Sequence, residues 1–128
     1  MGSKSIENVW SESAMNEYIS KYRELCLDLN EGVSKEDIRK HNSAMKKLSK
    51  LFYQLKNQED KKFVLELLYD DNIQIASLVA SHCLGWKVYE REAIKVLKSI
   101  YKNKSNSVVA FNAKMTLEVY NSQGYLDF

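Results

Sequence analysis

The stretch DDNIQIASLVASHCLGW, Asp70 to Trp86, decides how the rest of the chain is read. Two acids and an asparagine lead into a run with almost no charge and many small residues. Short side-chain acceptors suit the free N–H groups at a helix start, and negative charge suits the positive end of its dipole. The spacing predicts a helix from Ile73 to about Leu84. On it Ile73, Ala76, Ala80 and Cys83 form one stripe, which Ile75, Leu78 and Val79 widen. Only Gln74, Ser77 and Ser81 remain as a thin polar line. A helix this apolar must be covered on most sides, and its alanines let neighbours come close, so it is expected at the centre of an all-α fold. A calcium or magnesium site at Asp70 and Asp71 would need further oxygen ligands at a loop spacing. The next dozen residues supply only Gln74, Ser77 and Ser81, so capping is the reading for the acids.

Upstream, Trp10, Ala14, Tyr18, Tyr22, Leu25 and Leu29 recur every three or four residues and predict a first helix ending near Asn30. Glu31-Gly32 ends it. Ser34 caps a second helix, with Asp37 as its capping-box partner. That helix carries Ile38, Met45, Leu48, Phe52 and Leu55 on one side and Arg39, Lys46 and Lys50 on the other. Two long helices joined by a short turn predict an antiparallel hairpin over residues 1–57. After a polar break at Asn57–Asp60, a shorter helix over Lys61–Tyr69 turns Phe63, Val64, Leu67 and Leu68 inward. Downstream, Gly85-Trp86-Lys87 reads as a turn. A fifth helix over about Val88–Lys102 buries Ala93, Val96, Leu97 and Ile100. A sixth covers about Ser107–Ser122 and is closed by Gly124. The absence of proline suits uninterrupted helices.

The totals fit one domain of 128 residues, 45% hydrophobic and 28% charged. Nineteen basic and 17 acidic side chains leave a formal charge of +2, too even to argue by itself for a nucleic-acid partner. No apolar run approaches a membrane span. MGSKSIENVW carries no signal-peptide core, and Ile6 stands where myristoylation requires Ser or Thr. Cys26 and Cys83 sit within apolar patterns and read as buried thiols. The expected location is the cytoplasm, with no membrane partner.

Helices three and four, and then five and six, read as two successive pairs. IASLVA (Ile75–Ala80) precedes VAFNAK (Val109–Lys114) by 34 positions, with Ile75 over Val109, Ala76 over Ala110 and Val79 over Ala113. A period of this size with an alanine-bearing second helix is the mark of stacked α-solenoid repeats. The expected architecture is six helices in a single domain, a hairpin packed on two helix pairs over 58–128.

Four segments carry a family resemblance: YRELCLDLNEG (Tyr22–Gly32), LLYDDNIQIASLVASHCL (Leu67–Leu84), EREAIKVLKSI (Glu90–Ile100) and AFNAKMTLEVYNSQGYL (Ala110–Leu126). The last is the most specific, with Ala-x-Met-Thr-Leu-Glu at Ala113–Glu118 and an aromatic residue at Tyr120. With these the chain resembles a small bacterial family of HEAT-like helical domains of unknown function, an N-terminal hairpin followed by two HEAT-like repeats. It departs from that pattern at Ile73 and at Ile75–Ala76, where members usually have proline and a basic residue, and at Tyr120, where many have tryptophan. Members often look like immunity proteins of contact-dependent inhibition and polymorphic toxin systems. The resemblance therefore implies a protein that binds one cognate toxin domain, one-to-one, and blocks it. It implies no catalytic residue.

The residues themselves offer little chemistry. His41, His82, Cys26 and Cys83 are the soft metal ligands, and they lack the spacing of a zinc site. His82 and Cys83 are adjacent on a helix and point about 100° apart, so they do not form a base–thiol pair. No glycine-rich phosphate loop or nucleophile elbow occurs. No enzyme activity, cofactor or metal is expected. Candidate partner-binding residues are the acids at helix ends, Glu59, Asp60, Asp70, Asp71, Glu90 and Glu92, with the aromatic residues Trp86 and Tyr89 at a turn. Arg91, Lys95, Lys98 and Lys102 step by four, three and four along the fifth helix. They are the alternative, a basic stripe that could follow a nucleic-acid backbone.

Overall fold

The computed structural model describes residues 12–29, 34–58, 61–103 and 107–126, with backbone alone at 12–14 and 107. Among them the chain is all-α, with six helices and no strand. They are α1 (Glu12–Leu27), α2 (Lys35–Leu55), α3 (Phe63–Leu68), α4 (Ile73–Trp86), α5 (Glu90–Lys102) and α6 (Ser107–Gln123). Trp10, Glu31 and Gly32 lie outside the described residues. The chain divides into two compact units, one ending at Phe63 and the other beginning at Val64.

In the first unit α1 and α2 pack together. Ser34 caps α2 as expected, its side chain accepting from the Asp37 N–H at 3.0 Å. Tyr22, Leu25 and Leu29 of the predicted stripe are buried, joined by Ile19 and Cys26. On α2 the buried side is Ala44, Leu48, Leu51, Phe52 and Leu55, whereas Ile38 and Met45 are exposed. At about 100° per residue these two sit on the margin of the stripe rather than at its centre. Tyr22 and Tyr18 stack obliquely on Phe63, with ring centroids 6.5 and 6.0 Å away. Lys61 is buried, and its ammonium donates to the carbonyls of Lys56 and Gln58 just past the end of α2. A cation there satisfies carbonyls that the helix leaves open.

In the second unit α5 packs against both α4 and α6, and α4 also touches α6. The short α3 buries Val64, Leu67 and Leu68. Asn72 is the N-cap of α4, its side chain accepting from the N–H groups of Gln74 at 2.9 Å and Ile75 at 3.3 Å. Asp70 supports the entry by accepting from the Asn72 N–H at 2.9 Å. The capping reading of this polar cluster therefore holds at Asn72, with Asp70 one step outside it. Along α4 the residues from Ile75 to Leu84 are buried, apart from a half-buried Leu78. Even the polar line is mostly inside: Ser77 and Ser81 are buried, and the Ser81 hydroxyl donates to the Ser77 carbonyl at 2.9 Å. Both cysteines are buried and are not joined in a disulfide, as their settings implied. The three aligned pairs named for the 34-residue period, Ile75 with Val109, Ala76 with Ala110 and Val79 with Ala113, are buried as well.

Candidate partner-binding surface

The expected turn at Gly85-Trp86-Lys87 falls later than predicted. Gly85 and Trp86 belong to α4, and the left-handed residue that ends the helix is Lys87, with φ 61°. The Lys87 N–H donates to Leu84 and the Val88 N–H reaches back to Cys83 at 3.0 Å. This is the Schellman pattern, in which the left-handed position is usually glycine. Tyr89, the residue before α5, is also left-handed at φ 49° and lacks a side-chain cap bond. Two non-glycine residues with positive φ, separated by Val88, make this turn the strained part of the described backbone.

The surroundings hold the turn in place. The Lys87 ammonium donates to the Gly124 carbonyl at 3.1 Å, tying the turn to the end of α6. From α6 the Tyr120 hydroxyl donates to the Glu90 carboxylate. That bond, helped by burial and by the carboxylate's charge, raises the Tyr120 hydroxyl above its ordinary pKa. His82 meets Trp86 edge-on, with ring centroids 5.5 Å apart. His82 is 1% exposed, and burial lowers its pKa from 6.5 to about 3, so the ring is neutral at physiological pH.

Of the residues expected to meet a partner, the structure brings four together. Trp86, Tyr89, Glu90 and Glu92 lie at this turn and in the first turn of α5, each half-buried. Asp70 and Asp71 lie at the opposite end of α4, about 20 Å away along its axis. Asp70 is half-buried and Asp71 exposed. Glu59 and Asp60 lie outside the described residues. Asp70 lines a groove of about 320 Å³ between the α3–α4 corner and α5, floored by Leu68, Ile73, Ala76 and Ile100. Lys95 lines it too.

The basic stripe is present as drawn: Arg91, Lys95, Lys98 and Lys102 are all exposed on α5. Glu90 and Glu92 are displaced from it by roughly a quarter turn, to opposite sides, and Glu90 is engaged by Tyr120. Among the described residues no three His, Cys, Asp or Glu side chains gather as metal ligands. No helix among them is long and apolar enough to cross a membrane.

Two features went unread in the sequence. In the first unit a groove of about 430 Å³ between α1 and α2 gathers Lys21, Lys47 and Lys50 around Leu25 and Leu51, with Glu24 beside them. The lysines come from two helices, so no local run reveals them. The second feature is on α6, where Val108, Phe111, Met115 and Val119 are 44%, 59%, 41% and 39% exposed. They step by three, four and four, so they form one outward stripe. The opposite side, Val109, Ala110, Ala113 and Leu117, is buried. The signal was available: in SVVAFNAKMTLEV the apolar residues fall on two opposite sides, with Asn112 and Thr116 on one edge between them and Lys114 and Glu118 on the other.

In comparisons with protein-family models, with curated proteins and with solved structures, this chain has no match.

Proposed function

We propose that this chain is a binding protein that neutralises a bacterial toxin domain, possessing a nuclease-type or other active site, by covering it. The observation that carries the reading is the Trp86–Tyr89 turn. Two left-handed non-glycine residues hold it, Lys87 and Tyr120 tether its flanks, and it offers two half-buried aromatic side chains next to the first turn of α5, which carries Glu90 and Glu92. Strained backbone persists where the surroundings over-determine it, and it clusters at sites that do work. Rigid aromatics with a wet edge are favoured anchors in protein interfaces. Acids beside them attract a basic partner and fix its orientation. The toxin-specific part rests on the HEAT-like, immunity-protein resemblance of Tyr22–Gly32, Leu67–Leu84, Glu90–Ile100 and Ala110–Leu126. On this reading the work is done in the cytoplasm, by an inhibitor that needs neither catalysis nor a cofactor.

The test is co-expression with the C-terminal domain encoded by the adjacent upstream gene. A stable one-to-one complex and rescue of growth are expected. Truncating Trp86 and Tyr89 together to alanine should weaken binding about a hundredfold, the scale of one strong interface anchor. Absence of a complex, or full affinity in the double variant, would count against the reading.

A second reading has its own support. The four exposed cations of α5 form a row about 17 Å long, and the nearby acids lie off it. A nucleic-acid-binding module would use that row. Its binding would fall steeply with salt and drop when Lys95 and Lys98 are replaced. No binding to mixed duplex or RNA at about 50 mM salt would end it.

A further inference from the structure

The outward stripe of α6 is the longest run of exposed apolar side chains on one described helix: Val108, Phe111, Met115 and Val119. One edge of the stripe carries a cation and an anion four residues apart, Lys114 and Glu118, 4.0 Å from each other and both largely exposed. The Lys114 ammonium also sits 5.9 Å above the ring of Tyr101 on α5, which places it at the border of the stripe. The other edge is uncharged, with Asn112 and Gln123.

This pattern is self-complementary under one operation. Two copies of α6 laid antiparallel about a two-fold axis at Met115 bring like edges together, because the rotation keeps each edge on its own side. Lys114 of each copy then falls beside Glu118 of the other, giving a reciprocal pair of contacts. The apolar register agrees: Met115 meets its own copy, and the large Phe111 meets the small Val119. A parallel arrangement opposes Phe111 to Phe111 and sets the charged edge against the uncharged one. A two-fold contact uses the same patch on both copies, which is the commonest form of soluble oligomer.

We infer that this chain self-associates as a two-fold dimer through antiparallel pairing of α6, with Phe111, Met115 and Val119 at the centre and Lys114–Glu118 at the edge. The surface is a different one from the Trp86–Tyr89 turn, so this dimer and the binding of a toxin domain stand or fall separately. Four side chains are a small interface, so the dimer forms and dissociates with concentration.

Sedimentation of the full chain tests it, run up to roughly 500 µM, where a contact weaker than an obligate interface still populates the dimer. A monomer–dimer equilibrium is expected, and a chain that stays monomeric throughout overturns the proposal. F111K should abolish the dimer and, at concentrations where the parent chain is monomeric, leave helicity and melting unchanged, since Phe111 is 59% exposed in the single chain. A dimer that survives F111K overturns the proposal as well. K114E should weaken association and the double variant K114E/E118K should restore it, and a failure of either effect overturns the antiparallel register. Oxidative cross-linking reads the same register directly. M115C should link to its own copy, whereas V108C should not, because two-fold-related positions there lie about 21 Å apart along the axis. Linking of V108C indicates a parallel pair and overturns the proposal.

Discussion

His82 carries a clear pH signature. It is buried and its pKa is lowered from 6.5 to about 3 by desolvation, so the folded protein holds it neutral. The unfolded chain takes up a proton near pH 6.5, while the folded chain does so only near pH 3. Stability from this group is therefore complete above about pH 6.5 and is lost as pH falls toward 3, at up to about 1.4 kcal/mol per pH unit. Urea unfolding between pH 7 and 4.5 should show a loss of roughly 2–3 kcal/mol from this source. His82→Leu should flatten that slope, and an unchanged slope would place the pH dependence elsewhere. Asn72 gives a second measurable residue effect, through its two bonds to the N–H groups at the start of α4. Asn72→Ala should cost about 1 kcal/mol in a denaturant titration, and Asn72→Asp, which keeps the acceptor, much less.

At the scale of the element, α4 was readable because its composition allows only one outcome. A run from Ile73 with Gln74, Ser77 and Ser81 as its only polar line has too little polar surface to face water, and it is buried nearly throughout. Ala80 has no exposed surface and Ala76 almost none, so neighbouring helices come close to their methyl groups. Ala80→Leu should destabilise by about 1–3 kcal/mol through overpacking, read as a lowered melting temperature. Ala76→Leu should act in the same direction. The reading failed where a glycine was taken as the stop signal. Gly85 continues the helix, and the left-handed position falls on Lys87, a residue whose type gives no hint of it. The tether that keeps it there comes from Gly124, far along the chain, which no local window contains. Ile38 and Met45 failed for a different reason: apolar residues at a stripe's margin satisfy the periodicity and still end up exposed. The two faces of α6 were hidden by their sum, since apolar residues on opposite sides cancel any sense of direction. Trp86, Tyr89, Glu90 and Glu92 stay together because they are neighbours in sequence, whereas Asp70 and Asp71 lie at the other end of α4.

For the whole molecule, the division between Phe63 and Val64 marks two compact units. The second part contains a core of its own. Val64, Leu67 and Leu68 from α3, Ile75, Val79 and Leu84 from α4, Leu97 and Ile100 from α5, and Ala113 and Leu117 from α6 are all buried. α5 packs on both α4 and α6, and α4 touches α6, so this core is closed by short-range connections in sequence. Domains of this size, about 60–70 residues, fold alone but with a small margin. A fragment beginning at Lys61, which keeps α3 whole, should therefore be helical by circular dichroism. It should melt in a single cooperative transition of its own. Trp86 reports on the same event, since its ring rests edge-on against the buried His82 and its fluorescence should change with the melt. A fragment that is unstructured, or that loses helix gradually with no transition, would mean that the second unit draws its order from the first half of the chain.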